Sequence, residues 1–384
     1  MTQSFAFHRP TLAHRVADMA LGLDPLAGDS GVFLAGPRRT GKSTFLKLDL
    51  IPELEKRNVL PVYVDLWTDR TADPGEVITE AIRSAIRTLD SGLTKLVRRS
   101  GMSKVGVGSW LTVDIDKIGR TGGATITDAV AHLIERSGRP VVLIVDEAQH
   151  AITSDAGKNA MFALKSARDT LNIGARPASG SNVRVGLVFT GSHRDKLASL
   201  VIGRTQPFFG ASVTDFPLLG RDFTDAYTEF VNARLAKDRQ LDPHEVFAAF
   251  QTVGYRPEFL QSAIKDYSIG SLGEDGKTFS LQDHAAAARE RYWGEFDSLW
   301  AGMTDLQRVA LRRLVQQGEG FKPFDAESLA YYSTGIKRPV AAADVQSAMD
   351  ALRDKGLVVR LERGRYSLED PSLSEWIQAR SAGS

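Results

Sequence analysis

The sequence lacks cysteine altogether, over a length of 384 residues. This absence excludes disulfides, thiolate metal sites and cysteine nucleophiles. It also has no apolar run of about 18 residues, the length that a membrane helix needs. Its first residues, Met1 to Ala20, lack the unbroken apolar stretch of a secretion signal. We therefore expect no membrane partner and a cytoplasmic location.

Neither sign of charge is in excess. Lysine and arginine number 48 against 47 aspartates and glutamates, a net charge of +1. This balance excludes a surface built mainly to bind a polyanion, although a local basic patch remains compatible with it. Hydrophobic residues at 42% and charged residues at 25% are ordinary values for a globular protein. The length predicts two or three domains.

Four short apolar runs predict buried strands of a parallel sheet, and helical patterns separate them. The runs are Gly31–Ala35, Val59–Leu66, Val141–Val145 and Val183–Phe189. This alternation predicts an α/β fold, with an αβα core over residues 1–217. A glycine-rich stretch, Lys95 to Gly123, interrupts the alternation, and we interpret it as a hairpin-like insertion. Four basic residues at its start are a candidate contact for nucleic acid, and the alternative is a solvated basic turn. They are Lys95, Arg98, Arg99 and Lys104.

The second half of the chain shows a different pattern of predicted helices and strands. Residues 218–295 show helical patterns and one loop, Ser268 to Thr278, but no strand, and we assign them to a helical lid. Residues 296–384 show three further helices and then two strand-like runs, the order of a winged helix. The segments are Thr304–Gln317, Asp325–Tyr332, Ala341–Lys355, Leu357–Leu361 and Arg365–Leu368.

A glycine-rich loop directly follows the first predicted strand and opens a helix. Its residues, Gly36 to Ser43, fit the pattern G-x-x-x-x-G-K-[ST]. Glycines let backbone N–H groups approach phosphate oxygens, and the helix N-terminus adds a favourable dipole. Lys42 would reach the β- and γ-phosphates of ATP, and the Ser43 hydroxyl would bind Mg²⁺. The alternative is a glycine turn with an exposed lysine. The predicted nucleotide-binding residues are Gly36, Pro37, Arg38, Arg39, Thr40, Gly41, Lys42, Ser43 and Thr44.

Two acids end the third predicted strand. Asp146 and Glu147 follow the apolar run at Val141–Val145, where buried carboxylates need partners. We expect Asp146 to hold Mg²⁺ and Glu147 to orient or deprotonate the attacking water. The alternative is a solvated strand end with incidental acids.

These two motifs together resemble those of AAA+ P-loop ATPases, specifically the archaeal-type and Orc/Cdc6-like branch that also includes transposition-associated ATPases. The second strand, Val62 to Trp67, and the tail, Tyr366 to Trp376, resemble the same branch. The resemblance covers most of the chain. It implies ATP and Mg²⁺ as ligands and a homo-oligomer as the assembly.

The resemblance implies three more site residues. A polar sensor ends the fourth strand, where Ser192 is placed best and Thr190 is second. An arginine finger follows, for which Arg204 is the candidate and Arg194 its rival; a surface role is the alternative for Arg204. Arg256 is the candidate for a second sensor that reaches the phosphates from the lid, or else an exposed arginine before a helix that Pro257 begins.

The expected function is that of an oligomeric ATPase, a nucleotide-dependent switch that acts on double-stranded DNA or a DNA-bound complex through the winged helix. Glu147, Lys42, Ser192 and Arg204 carry the catalytic roles. From Gly302 onward, however, 12 basic residues face 11 acidic ones. A dedicated DNA reader is usually more basic. The alternative is therefore a signalling or scaffold ATPase whose winged helix recruits a protein partner.

Overall fold

The structure is a computed structural model of the chain. It describes residues 5–24, 30–69, 71–100, 118, 124–173, 183–192, 194–202, 204–269, 279–362, 364–370 and 372–382. Across these ranges, no helix combines the length and the apolar character that a membrane crossing requires.

Five parallel strands form the central sheet. They are β1 Val32–Ala35, β2 Leu60–Asp65, β3 Val141–Asp146, β4 Val185–Gly191 and β5 Val213–Asp215. Their order in the sheet is β2-β3-β4-β1-β5. The structure confirms the predicted parallel α/β core and all four predicted strands, with bounds shifted by a few residues. It adds β5, a short strand that the sequence analysis missed.

Helices cover both faces of this sheet. The helices involved are α1 Pro10–Ala20, α2 Lys42–Phe45, α3 Ile51–Lys56, α4 Pro74–Ser100, α5 Ile126–Ser137 and α6 Asp155–Asn172. Leu143 of β3 packs in the apolar layer formed with α4, α5 and α6. Its neighbour Ile144 packs in the opposite layer, with α1 and α3. This alternation follows from the two-residue period of a strand and produces the predicted αβα sandwich.

One expectation for this core was wrong in part. The predicted insertion begins at Lys95, but α4 continues as a helix to Ser100. Leucines at 89, 93 and 96 keep a helical spacing across the predicted break. Residues 101–117 and 119–123, including Lys104, lie outside the described part of the chain. The side chains of Lys95, Arg98 and Arg99 lie outside it as well.

A short helix, α7 Arg194–Ala198, lies between β4 and β5, and a helical layer follows β5. Its members are α8 Arg221–Asn232, α9 Pro243–Thr252, α10 Pro257–Ile269 and α11 Leu281–Ala301. The start of α9 shows the local chemistry: Asp242 caps the helix by accepting hydrogen bonds from two backbone N–H groups, and proline occupies the first turn. Phe223, Phe250 and Leu260 form the centre of the shared core.

The C-terminal region contains the predicted three helices and hairpin, followed by a helix that the sequence analysis did not predict. The elements are α12 Asp305–Gln317, α13 Ala326–Ile336, α14 Ala342–Asp354, β6 Val358–Glu362, β7 Arg365–Leu368 and α15 Ser372–Ala382. Strands β6 and β7 pair antiparallel. Tyr332, Leu352 and Trp376 are buried in one core that draws on α13, α14 and α15.

Helix α11 joins the helical layer to the C-terminal region. Its first half contributes Leu281 and Ala285 to the core of the helical layer. Its second half contributes Trp293 and Phe296 to the C-terminal core. The helix therefore runs through the domain boundary predicted at residues 295 and 296, and the exact division of the chain stays a prediction.

Candidate functional site

The loop between β1 and α2 depends on glycine at two places. Gly41 has φ of +89°, in the left-handed region that favours glycine, and it leads directly into α2. A Cβ added at Gly36 would lie 3.0 Å from the Cβ of Phe216. The Gly36 N–H donates to the Gly191 carbonyl at 3.1 Å, which fixes the loop to the end of β4. The loop thus presents its backbone at the start of a helix, where N–H groups lack helical partners.

Lys42 is a buried cation in this loop. Its side chain is folded back, and Nζ donates to the carbonyls of Gly36 at 2.7 Å and Pro37 at 2.9 Å. The residue is 4% exposed, which excludes the exposed-lysine alternative. Burial lowers the pKa of Lys42, while the nearby carboxylates of Glu147 and Asp146 oppose that shift. Among the described residues Lys42 forms no ion pair.

Asp146 is fully buried at the end of β3 and is held from both neighbouring strands. From β2, the Tyr63 hydroxyl donates to Oδ2 at 2.9 Å. From β4, the Thr190 hydroxyl donates to Oδ1, and the Glu147 N–H donates to the same oxygen at 3.1 Å. Burial first, and then the charge of Asp146, raise the pKa of Tyr63, so its hydroxyl remains a donor at neutral pH. These contacts exclude a solvated strand end for Asp146.

Glu147 is held by one of its two carboxylate oxygens. The residue has φ of +55°, an uncommon conformation that turns the chain sharply after β3. Its Oε2 accepts from the Ser192 hydroxyl at 2.7 Å, from the Ser192 N–H at 3.3 Å and from Nε2 of Gln149. In the described part of the chain, Oε1 receives no hydrogen bond. The carboxylate is therefore oriented and keeps one oxygen for another donor.

Gln149 and Tyr63 are site residues that the sequence analysis missed. Gln149 is 2% exposed, and its Nε2 donates to Ser192 Oγ at 3.1 Å as well as to Glu147. It stands two positions after Glu147, which is the local signal that would have found it. Tyr63 is placed by the parallel register of β2 and β3, in which Asp65 pairs with Asp146.

The two sensor candidates occupy different positions in this network. Ser192, the first choice, contacts Glu147, whereas Thr190 contacts Asp146. Both side chains are buried, at 3% and 1% exposure. The end of β4 therefore brings a hydroxyl to each acid, and the sensor role of either residue stays a prediction.

The two finger candidates differ in what holds them. The Arg194 guanidinium pairs with the Asp215 carboxylate and donates to the Val213 carbonyl at 2.9 Å, which ties it to β5. Arg204 is exposed. Two exposed apolar side chains, Ile202 and Phe209, lie on the same segment. Arg204 is therefore accessible to a neighbouring molecule, whereas the Arg194 guanidinium is already bound to Asp215 and Val213.

Arg256 is buried at 3% exposure, so the exposed-turn alternative is excluded. Its guanidinium donates to Oδ2 of Asp370 at 2.5 Å and to the Tyr292 hydroxyl at 3.3 Å. Tyr292 lies on α11, and Asp370 lies between β7 and α15. The structure thus places Arg256 at the start of α10 but pairs it with an acid, and its nucleotide-binding role stays a prediction.

A cavity of about 360 Å³ lies between the loop and the helical layer. Gly41 and Thr44 line it from the loop, Phe7 from the N-terminal segment, and Pro257 and Glu258 from α10. This volume falls in the usual range for small-molecule sites, roughly 300–1,000 Å³. A larger cavity of about 560 Å³ lies at the opposite ends of the strands and contains none of the predicted site residues.

The two loop arginines contact different elements. Arg38 lies over the ring of Trp67, which follows β2, at 4.8 Å. Arg39 lies over the Phe259 ring at 5.1 Å, and its Nε is 3.7 Å from Glu258. Such cation–π contacts favour these positions of the guanidinium groups. The loop therefore contacts both the segment after β2 and α10.

The residues present fit a magnesium ion of the kind that accompanies a nucleotide. Within the described ranges, no cluster of three histidine, aspartate or glutamate side chains forms a metal cage. Ser43 and Asp146 offer two oxygen ligands, and Mg²⁺ usually takes only one or two protein groups and completes its shell with water and phosphate. The buried Asp146 supplies the negative charge.

A glycine loop at a helix start, a buried lysine and an acidic strand end on a parallel sheet are the features of a P-loop fold. Residues 27–197 match the family model described as an AAA domain. This part of the chain is therefore similar to AAA domains, and the resemblance to AAA+ P-loop ATPases is confirmed. None of the curated proteins matches the chain.

Solved structures extend the likeness over nearly the whole chain. A Walker-type ATPase of Pyrococcus abyssi is 16% identical, with 97% of this chain and 96% of that chain covered at a TM-score of 0.59. The ORC2 protein of Aeropyrum pernix is 14% identical, with 97% and 94% covered at a TM-score of 0.52. At such identities the likeness shows that the chain shares the fold of these two proteins, and no more.

Proposed function

We propose that this chain binds ATP together with Mg²⁺ and hydrolyses it. The observation that carries the proposal is Lys42, a buried ammonium without an ion pair among the described residues, on a glycine loop beside Asp146 and Glu147. A buried charge without a counter-ion is costly, and a phosphate chain would supply the missing negative charge. The solved structure of the Aeropyrum protein is one of ADPNP–ADP complexes. This supports a nucleotide as the ligand of the present chain.

In this proposal, different residues of the chain bind the phosphates, bind the base and accept the proton. Backbone N–H groups of the loop and Lys42 hold the phosphates, and the cavity beside Thr44 and Phe7 receives the base. Oε1 of Glu147 accepts the proton of the attacking water, while Ser192 and Gln149 keep the carboxylate oriented through Oε2. A magnesium ion held by Ser43 and Asp146 would supply charge neutralisation at the phosphates.

We further propose that this ATPase is an oligomeric switch that acts on double-stranded DNA. The C-terminal elements support a winged helix, and Lys337 and Arg338 are exposed just before α14. Helix α14 would lie in the major groove, with these two cations on phosphates. The exposed Arg204 supports a site completed by a second copy of the chain.

A specific observation favours the second candidate, a protein partner for the same region. The exposed Gln346 of α14 donates to Asp350, and Arg353 pairs with Asp350 as well. Acids on the proposed reading face would repel DNA phosphates. A signalling or scaffold ATPase is the function that this surface would serve.

A salt series of binding to labelled duplex DNA separates the two candidates. With a slowly hydrolysed ATP analogue present, we expect binding that weakens steeply with salt. Lys337→Ala should weaken binding and reduce the salt slope by about 1, while Lys265→Ala, an exposed lysine on α10, should change neither. Absence of binding at low salt would remove the DNA proposal and leave the protein partner.

A further inference from the structure

A buried ion pair joins α10 to the segment that follows β7. Arg256 donates to Oδ2 of Asp370 at 2.5 Å, and the Tyr292 hydroxyl donates to the same oxygen. The Tyr292 ring also lies 4.5 Å from the guanidinium carbon. Oδ1 of Asp370 accepts from Ser372, at 2.6 Å from its hydroxyl and 3.0 Å from its N–H. Both oxygens of Asp370 are thus engaged, one by the lid and one by α15.

The pair is strong for physical reasons. The Arg256 and Asp370 side chains are only 3% and 20% exposed, so water screens them little. Burial by itself raises the pKa of Asp370, but Arg256, Ser372 and Tyr292 outweigh it and lower that pKa below its usual value. Asp370 is therefore ionised at neutral pH, and a charge-assisted hydrogen bond links it to Arg256.

The neighbouring acid contacts the other side of the site. Oε1 of Glu369 accepts a hydrogen bond from the backbone N–H of Arg194 at 2.7 Å. Arg194 stands two positions after Ser192. The charge of Glu369 also favours the charged form of Lys42. Residues 369 and 370 therefore touch the core and the lid at once, beside the groups proposed to hold the phosphates.

We propose that Asp370 competes with a nucleotide phosphate for Arg256, so that nucleotide binding releases the C-terminal region from the lid. This inference rests on the proposed ATP site. Arg256 stands immediately before Pro257 and Glu258, which line the cavity beside Gly41. A nucleotide with its base in that cavity and its triphosphate on the Lys42 loop offers the guanidinium a second anion, and it repels the carboxylates of Glu369 and Asp370.

This competition ties the conformation of the chain to its ligand. A nucleotide that needs a free Arg256 binds only to those molecules in which the ion pair between Arg256 and Asp370 is broken. Its apparent affinity is therefore reduced in proportion to the fraction of such molecules. By the same linkage, bound nucleotide lowers the fraction in which the pair is formed. A salt bridge that only stabilises the fold would show neither effect.

The first test measures affinity for a slowly hydrolysed ATP analogue by calorimetry. Asp370→Asn removes the competing charge and should tighten binding by about 5- to 150-fold, the usual range for coupled sites. Asp266→Asn is the matched control, because it breaks an exposed ion pair with Arg291 in the same helical layer. Combined with Arg256→Ala, the Asp370→Asn change should lose its effect. Equal affinities for Asp370→Asn, Asp266→Asn and the unchanged chain would overturn the inference.

The second test follows the C-terminal region directly. Because the chain has no cysteine, spin labels can be attached at Glu229→Cys on α8 and Ser347→Cys on α14, both exposed positions. We expect the analogue to lengthen the mean distance between the labels or to broaden the distribution of distances. Asp370→Asn should have the same effect without nucleotide. A distance that stays unchanged while the analogue demonstrably binds would overturn the inference and leave the ATP site standing.

Two further outcomes are decisive. If the unchanged chain binds no analogue, the ATP site fails and the inference falls with it. If Asp370→Asn does not fold, Tyr292→Phe replaces it, since that change removes one donor from Asp370 and keeps the ring under Arg256. Tyr292→Phe should shift affinity and distance in the same direction by a smaller amount, and no shift in either would overturn the inference.

Discussion

The Ser192 hydroxyl lies 2.7 Å from Oε2 of Glu147, although the two residues are 45 positions apart in the sequence. The contact forms because β3 and β4 are neighbours in the sheet and end at the same edge. It orients the carboxylate through one oxygen and leaves the other open. This arrangement is what the proposed base requires, and it explains why a polar residue at the end of β4 matters for an acid at the end of β3.

Glu147→Gln should separate ATP binding from hydrolysis. The amide keeps the shape of the side chain but cannot accept the proton, so we expect turnover to fall by about 10²- to 10⁴-fold. Binding of ATP should persist, because Lys42 and the loop are untouched. Phosphate release and calorimetry measure the two quantities, with Glu135→Gln, an exposed acid on α5, as the control. Unchanged turnover would remove Glu147 as the base.

Tyr63→Phe should weaken the magnesium dependence of the reaction. The change removes the hydrogen bond that Oδ2 of Asp146 receives at 2.9 Å. Residues that orient a metal ligand typically contribute about 10- to 100-fold in metal affinity or activity. We expect the magnesium concentration for half-maximal turnover to rise by that factor. Tyr267→Phe is the control, and an identical magnesium titration for both variants would contradict the role of Tyr63.

The affinity for ATP should depend on pH through Lys42. Because burial lowers the pKa of Lys42, the amine loses its proton at a lower pH than an ordinary lysine, whose pKa is about 10.4. Phosphates attract only the protonated amine, so affinity should fall as the pH rises through the lowered pKa, and binding there should take up a proton. Lys42→Arg should lack this dependence, since a guanidinium stays charged. An equal pH dependence in both proteins would contradict the assignment.

Arg204→Ala tests whether sites form between subunits. Arg204 is exposed and distant in sequence from the loop. We expect the variant to bind ATP normally and to hydrolyse it more slowly, by about 10³- to 10⁵-fold if the residue is an arginine finger. The effect should appear at protein concentrations at which oligomers form. Arg239→Ala, at another exposed position, serves as the control. Full turnover by monomers of the unchanged chain would exclude a finger.

Local sequence signals predicted the elements that are local in origin. The loop at Gly36 to Ser43 and the strand before Asp146 combine a fixed spacing with an apolar run, and both appear where expected. The three helices and hairpin of the C-terminal region also follow from periodicity and turn residues. Strand β5 escaped prediction because it has three residues, mostly exposed, and exists only through its pairing with β1.

Two contacts in and beside the site have no local signature. Tyr63 and Asp146 are 83 positions apart, and Arg256 and Asp370 are 114 apart. The register between parallel strands sets the first pair, and the docking of the C-terminal region on the lid sets the second. A motif therefore located the acids and the lysine, whereas only the assembled fold shows which side chains hold them.

The central claim is a magnesium-dependent site for adenine nucleotide at the Lys42 loop. Isothermal calorimetry with purified protein, in the presence and absence of Mg²⁺, tests it most directly. We predict saturable uptake of ATP that weakens without Mg²⁺ and is lost in Lys42→Ala, while Lys56→Ala, an exposed lysine in the same helical segment, binds as the unchanged chain does. Absence of magnesium-dependent binding, or equal binding by Lys42→Ala, would contradict the claim.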